Sequence, residues 1–194
     1  YSCEHSQSYD QFIYNFRILR IKYDRNLSFE QNFERAIKYF SQQLQQNDKV
    51  ILNSLGFMYM EGDILPQDYE KALHYLTMSA EQKFAPAQCN IGLIYWRKNY
   101  IKKDIDKAIY YLKLASDQNL EEAQFYLGRI YFNEKKDFIK SIEYYTLAAD
   151  NNHPTAQFIL GKIYENGDYV ERNMTKAIHY YKRAAEQNNI KALY

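Results

Sequence analysis

Histidine, cysteine and lysine are the side chains in this sequence whose chemistry could turn over a substrate or hold a metal. The four histidines are His5, His74, His153 and His179. None stands in a His-Glu-x-x-His pair, which would put two imidazoles on one helical face for zinc. Neither a glycine loop that cradles phosphate nor a Gly-x-Ser-x-Gly nucleophile elbow occurs. The two cysteines, Cys3 and Cys89, lie far apart and in no metal-ligand spacing. Two distant thiols do not make a disulfide framework, and Cys89, among helix-forming residues, reads as a small apolar group. Lysines at 71, 107, 140 and 176 form a regular column, which repetition alone explains. These patterns predict no catalytic centre, no cofactor and no metal site.

The bulk numbers narrow the classes further. Of 194 residues, 46% are hydrophobic and 25% charged, the balance of a folded chain able to bury a core. The 25 basic and 24 acidic side chains leave a net charge of +1. Phosphate recognition needs a concentrated basic face, so this balance argues against a nucleic-acid partner. Apolar runs are only a few residues long, and no segment is expected to insert into a membrane. The chain starts at Tyr1 and its first methionine is Met58, which suggests a processing boundary and leaves localisation unread. Twenty-one tyrosines are the compositional outlier.

Internal repetition accounts for most of them. Gly56, Gly92, Gly128 and Gly161 are spaced by 36, 36 and 33 residues, and each follows an aliphatic residue and precedes a tyrosine by three. Lys71-Ala72, Lys107-Ala108, Lys140-Ser141 and Lys176-Ala177 shift by 36, 33 and 36, which places a three-residue deletion between Gly128 and Lys140. A third track runs through Ala87-Gln88, Ala123-Gln124 and Ala156-Gln157, and Ala192 opens a repeat that the chain does not finish. One period before Gly56, Leu19-Arg20-x-x-Tyr23 and Arg35-Ala36 form a degenerate copy in which arginine replaces glycine. The expected domain is a single helical-repeat array, with repeats near 12–48, 49–84, 85–120, 121–153 and 154–189 and a stub at 190–194. Ten of the 21 tyrosines fall on repeat positions.

Each repeat reads as two helices. Ala108, Tyr111, Leu112 and Ala115 stand at i, i+3, i+4 and i+7, one apolar helical face. Asp68, Asp104, Asp137 and Asn173 precede the second helices, where a short polar side chain can accept from free backbone N–H groups. Gly62 and Gly167 supply turns after first helices, and Pro86 and Pro154 sit at helix starts, where a missing N–H costs least. The stretch from Phe12 to Tyr23 is ambiguous by periodicity, and the repeat register makes it helix.

The pattern Ala-x-x-x-aliphatic-Gly-x-x-Tyr, a turn, then Asp-x-x-Lys-Ala-x-x-Tyr-aliphatic-x-x-Ala-Ala resembles the Sel-one-like repeat family, relatives of the tetratricopeptide repeats. The match is strong over residues 51–192 and weak in the first copy, where Arg20 departs from it. The resemblance implies an all-α, right-handed α-solenoid of about five antiparallel helix pairs whose first helices line a concave groove. It also implies a protein-interaction scaffold or adaptor without catalysis. Cysteine-rich members linked to β-lactam chemistry carry a cysteine pair in each repeat, which this chain lacks. Close approach within a repeat falls to Gly92 and Ala108, with Tyr95 and Tyr111 expected to fill the space between repeats.

On the third repeat's first helix, Ala87, Ile91, Gly92 and Tyr95 form a packing face and Pro86, Cys89, Leu93, Trp96 and Arg97 a second stripe. In register, that stripe holds Tyr14, Arg17 and Ile21, then Asn53, Phe57 and Met60. Further on it holds Phe125, Arg129 and Phe132, then Phe158, Lys162 and Glu165. Aromatic, Met and Arg side chains are the composition of interface cores. The expected partner-binding residues are therefore Phe57, Met60, Leu93, Trp96, Arg97, Phe125, Arg129, Phe132, Phe158 and Lys162, with Trp96 as the anchor. Two other functions fit less well. A regulatory or targeting arm of a larger enzyme would explain the unfinished repeat. An RNA-binding repeat array would need a repeated polar base-reading pair and a basic groove, and the repeated positions here are apolar or mixed.

Overall fold

The computed structural model describes residues 47–62, 65–97 and 101–191, together with positions 26, 31, 35 and 38. The expected first-copy helix, with Tyr14, Arg17, Arg20 and Ile21, lies outside the described residues, as does Cys3. Among the described residues there are eight α-helices and no strand. In chain order they are α1 (Lys49–Glu61), α2 (Tyr69–Glu81), α3 (Ala85–Trp96), α4 (Ile105–Ser116), α5 (Glu121–Ile130), α6 (Phe138–Asp150), α7 (Pro154–Asn166) and α8 (Met174–Lys191). Helix α5 runs on into one π-helical turn, Tyr131–Lys135. Odd-numbered helices are the first of each repeat and even-numbered helices the second. This is an all-α helical-repeat fold.

The chain divides into two compact units, Tyr1–Asn90 and Ile91–Tyr194. In unit 1, α1 packs on α2. In unit 2, each helix from α4 to α8 packs on the next.

Short polar residues start the second helices as their spacing predicts. The side chains of Asp68, Asp104, Asp137 and Asn173 accept from the backbone N–H three residues on, at 3.0, 3.0, 3.1 and 2.9 Å. Gly62 and Gly167 end α1 and α7 at φ 77° and 78°, a left-handed conformation that glycine adopts without a Cβ penalty. The turns from second helices to the next first helices also need φ > 0. Asn47, Lys83, Asn119 and Asn152 fill that place in register, at φ 51°, 58°, 63° and 67°. Asparagine tolerates this region better than lysine does.

Glycine lets the two helices of a repeat close. A Cβ on Gly92 would lie 2.6 Å from Cγ of Leu112 and 3.2 Å from the Ala108 carbonyl oxygen, and one on Gly56 would meet Leu76 and Ala72 in the same way. In the fourth and fifth repeats a tyrosine ring replaces the leucine: Tyr145 covers Gly128 and Tyr181 covers Gly161, each 2.6 Å from the Cβ position. Ser141 stands where the other repeats have alanine, and its buried hydroxyl donates to the Gly128 carbonyl at 2.8 Å.

Glutamines tie successive repeats together. The buried amides of Gln88, Gln124 and Gln157 donate to the carbonyls of Ala80, Ser116 and Ala149, at 3.4, 3.5 and 3.0 Å. A satisfied hydrogen bond of this kind is worth about 1 kcal/mol net, and losing one partner costs more. The Gln track of the sequence is thus a seam between one repeat's second helix and the next repeat's first.

Candidate functional site

Apart from Lys49 over Phe84 at 5.7 Å, the cation–ring contacts among the described residues fall into two sets. The first is the lysine column. In each repeat of the column the tyrosine three residues after the glycine stacks nearly parallel on a second-helix tyrosine of its own repeat. The pairs are Tyr59 on Tyr75, Tyr95 on Tyr111, Tyr131 on Tyr144 and Tyr164 on Tyr180, with centroids 5.4 to 6.2 Å apart. Tyr95 and Tyr111 therefore join the two helices of one repeat, where the sequence had suggested a filler between repeats. Their spacing on facing antiparallel helices brings the rings level. Lys71, Lys107, Lys140 and Lys176 lie over the first tyrosines at 5.3, 5.0, 5.5 and 4.9 Å. In three repeats the same lysine also pairs with the capping aspartate: Asp68 at 3.3 Å, Asp104 at 3.8 Å and Asp137 at 3.2 Å. Hydrogen bonding from the backbone N–H groups of Lys71 and Lys140, helped by their ammonium groups, holds Asp68 and Asp137 below the usual carboxylate range. The capping residue's own N–H then closes the loop by donating to the first tyrosine's carbonyl. These bonds are Asp68 to Tyr59, Asp104 to Tyr95, Asp137 to Tyr131 and Asn173 to Tyr164, at 2.8 to 3.0 Å. Cap, lysine and tyrosine pair complete one another within the chain.

The second set lies on first helices of unit 2. Arg129 of α5 places its guanidinium 5.0 Å from the Trp96 ring of α3 and 5.9 Å from Phe125, one turn back on its own helix. Trp96 also meets Tyr126 edge-on at 5.9 Å. The Trp96 indole N–H donates to Glu134 at 3.2 Å, and Lys103 bridges that carboxylate at 2.7 Å. Phe125 stacks on His153 at 4.3 Å, and His153 in turn caps α7 by accepting from the Ala156 N–H at 3.2 Å. The capping histidine escaped the sequence reading because imidazole is rarely chosen for that job. One repeat further, Lys162 lies over Phe158 at 5.9 Å, with Phe158 half exposed to solvent. Trp96, Phe125 and Arg129 thus form one contiguous ladder, with Phe158 and Lys162 repeating its Phe–cation step 33 residues on.

The remaining expected residues are placed elsewhere. Met60 and Leu93 keep only 1% and 5% of their surface, and Cys89 only 3%. They supply packing rather than a surface, which corrects the sequence's division of a first helix into a packing stripe and an open one. Where α5 is in contact with both α4 and α6, the buried arc is wider than a single stripe. Phe57 is half-buried on α1, in unit 1. Arg97 is half-buried, and desolvation, with the charge of Glu121, pushes the nearby Glu122 carboxyl above its usual range against the opposing pull of Arg97. Phe132 belongs to a different cluster from Trp96. It meets Phe138 at 5.2 Å and Tyr169 at 6.0 Å, while Phe138 and Tyr169 stack at 3.9 Å. The π turn is responsible: the three-residue deletion falls there, Lys136 turns left-handed at φ 54°, and Phe132 is carried toward the loops.

Among the described residues, no group of histidines, cysteines and carboxylates could hold a metal ion, and no helix is long and apolar enough to cross a membrane. His74 and His179 are exposed and rest edge-on against Tyr75 and Tyr180.

Recurrence of the same cap, lysine and stacked tyrosines is what a repeat family is built on, and the Sel1 repeat model matches residues 27–48, 52–84, 85–120, 121–153 and 154–189. The chain belongs to the Sel1 repeat family. No curated protein matches it. Among solved structures, a Sel1 repeat protein from Oxalobacter formigenes is 27% identical with a TM-score of 0.71, over 79% of this chain and 64% of that one. The protein c5321, described as a protective antigen of uropathogenic Escherichia coli with an SLR fold, is 28% identical with a TM-score of 0.69. That match covers 83% of this chain and 33% of c5321. This chain therefore spans less than two thirds of either relative. An immunity protein from Pseudomonas aeruginosa, Pa5087, shares the fold alone, at 16% identity and a TM-score of 0.51 over 91% of this chain and 81% of that one. Sel1-repeat proteins act generally as interaction scaffolds.

Proposed function

We propose that this Sel1-repeat chain is a non-catalytic adaptor that holds a segment of a partner polypeptide along the first helices of unit 2. One observation carries the reading: the Trp96–Arg129–Phe125 ladder is made of residues that the repeat does not demand. At the Trp96 position the other described repeats have Met60, Phe132 and Glu165, and at the Arg129 position Phe57, Leu93 and Lys162. Scaffold positions recur because packing dictates them, so a half-buried Trp–Arg pair at non-recurring positions has a different cause. Trp and Arg are also the residues that most often carry binding energy at interfaces. Arg97 and Phe132, also in unit 2, form the outlying contacts in this reading.

The test is a double variant, Trp96→Ala with Arg129→Gln, used as bait beside the parent chain. The expected result is unchanged helicity by circular dichroism and loss of the protein that co-purifies with the parent. A partner retained undiminished by a folded double variant would remove the ladder from the binding site.

A further inference from the structure

The face just described holds two cations, Arg129 and Lys162, that no carboxylate among the described residues neutralises. In the column, Lys71, Lys107 and Lys140 each have an aspartate within 3.8 Å. On the first-helix face, Arg129 lies on Trp96 and Phe125, and among the described residues no carboxylate pairs with it. Lys162 over Phe158 is in the same position one repeat on, also without a carboxylate partner among the described residues. The acid nearest to it in sequence, Glu165, is already engaged. It accepts from the Tyr181 hydroxyl at 2.6 Å, and desolvation together with that carboxylate pushes the phenol up to about 12.

A guanidinium resting on ring faces keeps its N–H donors free at its edge, in the fork geometry that fits a carboxylate. Stacking also restricts the side chain before anything binds, which lowers the ordering cost of pairing. We infer that the partner segment is acidic, with one carboxylate pairing with Arg129 and another with Lys162 and an apolar side chain lying between Trp96 and Phe158. This rests on the interaction reading above. A nucleic acid is the other anion such a face could meet. Glu122, Glu134 and Glu165 are interspersed on the same elements, however, and would repel a continuous phosphate backbone. Separate carboxylates on a peptide can be placed between them.

The experiment compares three fluorescein-labelled probes by anisotropy at low and high salt. They are a pool of 12-residue peptides mixing Asp and Glu with Leu and Tyr, the same pool with Asn and Gln replacing the acids, and oligouridylate RNA. The acidic pool should bind about tenfold more tightly than the amide pool, the effect of one good charge-assisted pair. That advantage should shrink with salt and vanish in Arg129→Gln with Lys162→Gln, with helicity unchanged. Equal binding of the two pools, no binding of either, persistence of the preference in the double variant, or tighter binding of the RNA would each overturn the inference. Equal binding that is lost in Trp96→Ala would sink the acidic preference and leave the interaction face standing. Binding indifferent to Trp96→Ala would remove the face as well.

Discussion

Every described repeat puts a lysine over a tyrosine, and two of the first helices in unit 2 put Arg129 or Lys162 over Trp96, Phe125 and Phe158. The interaction is the same, worth about 0.5–1 kcal/mol at exposed sites. Its surroundings differ. In the column the cation is shared with an aspartate that also caps the helix, and the ring is stacked on a second tyrosine. On the first-helix face Arg129 and Lys162 have rings but, among the described residues, no carboxylate paired with them. A group that recurs in every described repeat and is satisfied internally belongs to the scaffold; one left without an internal partner is open to something outside the chain. The fifth repeat marks the limit of this rule, because Asn173 replaces the aspartate and Lys176 keeps only its ring.

Three perturbations on the scaffold side would sharpen or break that contrast. The largest is Gly92→Leu, which forces α3 away from Leu112 and the Ala108 backbone and separates Tyr95 from Tyr111. It should lower stability by about 3 kcal/mol in urea denaturation, at the upper end of overpacking costs. Parent-like stability would mean that the close approach does not underlie the stacked column.

Acid should expose the column next. Asp68 and Asp137 have carboxyls held down in the folded state, so their stabilising effect is present above the ordinary carboxylate pKa of about 3.9 and is lost as pH falls through their lower folded values. Urea midpoints should therefore drop as pH falls below about 4. The Asp68→Asn, Asp137→Asn variant should show a shallower drop while keeping its caps. An identical pH profile in the variant would show that the acid sensitivity lies elsewhere. The smallest effect is a gain. Lys83 at φ 58° occupies a place that asparagine fills in three other turns, and Lys83→Asn should raise stability by about 0.5 kcal/mol in thermal melts. No gain would show that the left-handed turn carries little strain.

Repeat four shows how far the sequence pattern reaches. Its three-residue deletion was legible as a change in spacing, and its place between Gly128 and Lys140 could be bounded. Its consequence could not. The bond from the capping N–H to the tyrosine carbonyl survives, from Asp137 to Tyr131 at 3.0 Å, because the chain shortens inside the ring that this bond closes. The shortening is taken up by a π turn, and Phe132 leaves the register that the pattern assigned to it. Met60 and Leu93 departed for a simpler reason. Periodicity marks which residues share a stripe, but how many neighbours cover a helix is a property of the stack.

The sequence by itself determined the helix pairs, their caps, the small residues at close approach and the family, because each depends on local chemistry repeated in register. Only the tertiary structure decided that the tyrosines pair within a repeat and that Trp96, Phe125 and Arg129 meet. The tyrosine pairs join residues 13 to 16 positions apart and Trp96 meets Arg129 across 33, in both cases between different helices, so their distances are set by how the helices pack rather than by any spacing along the chain.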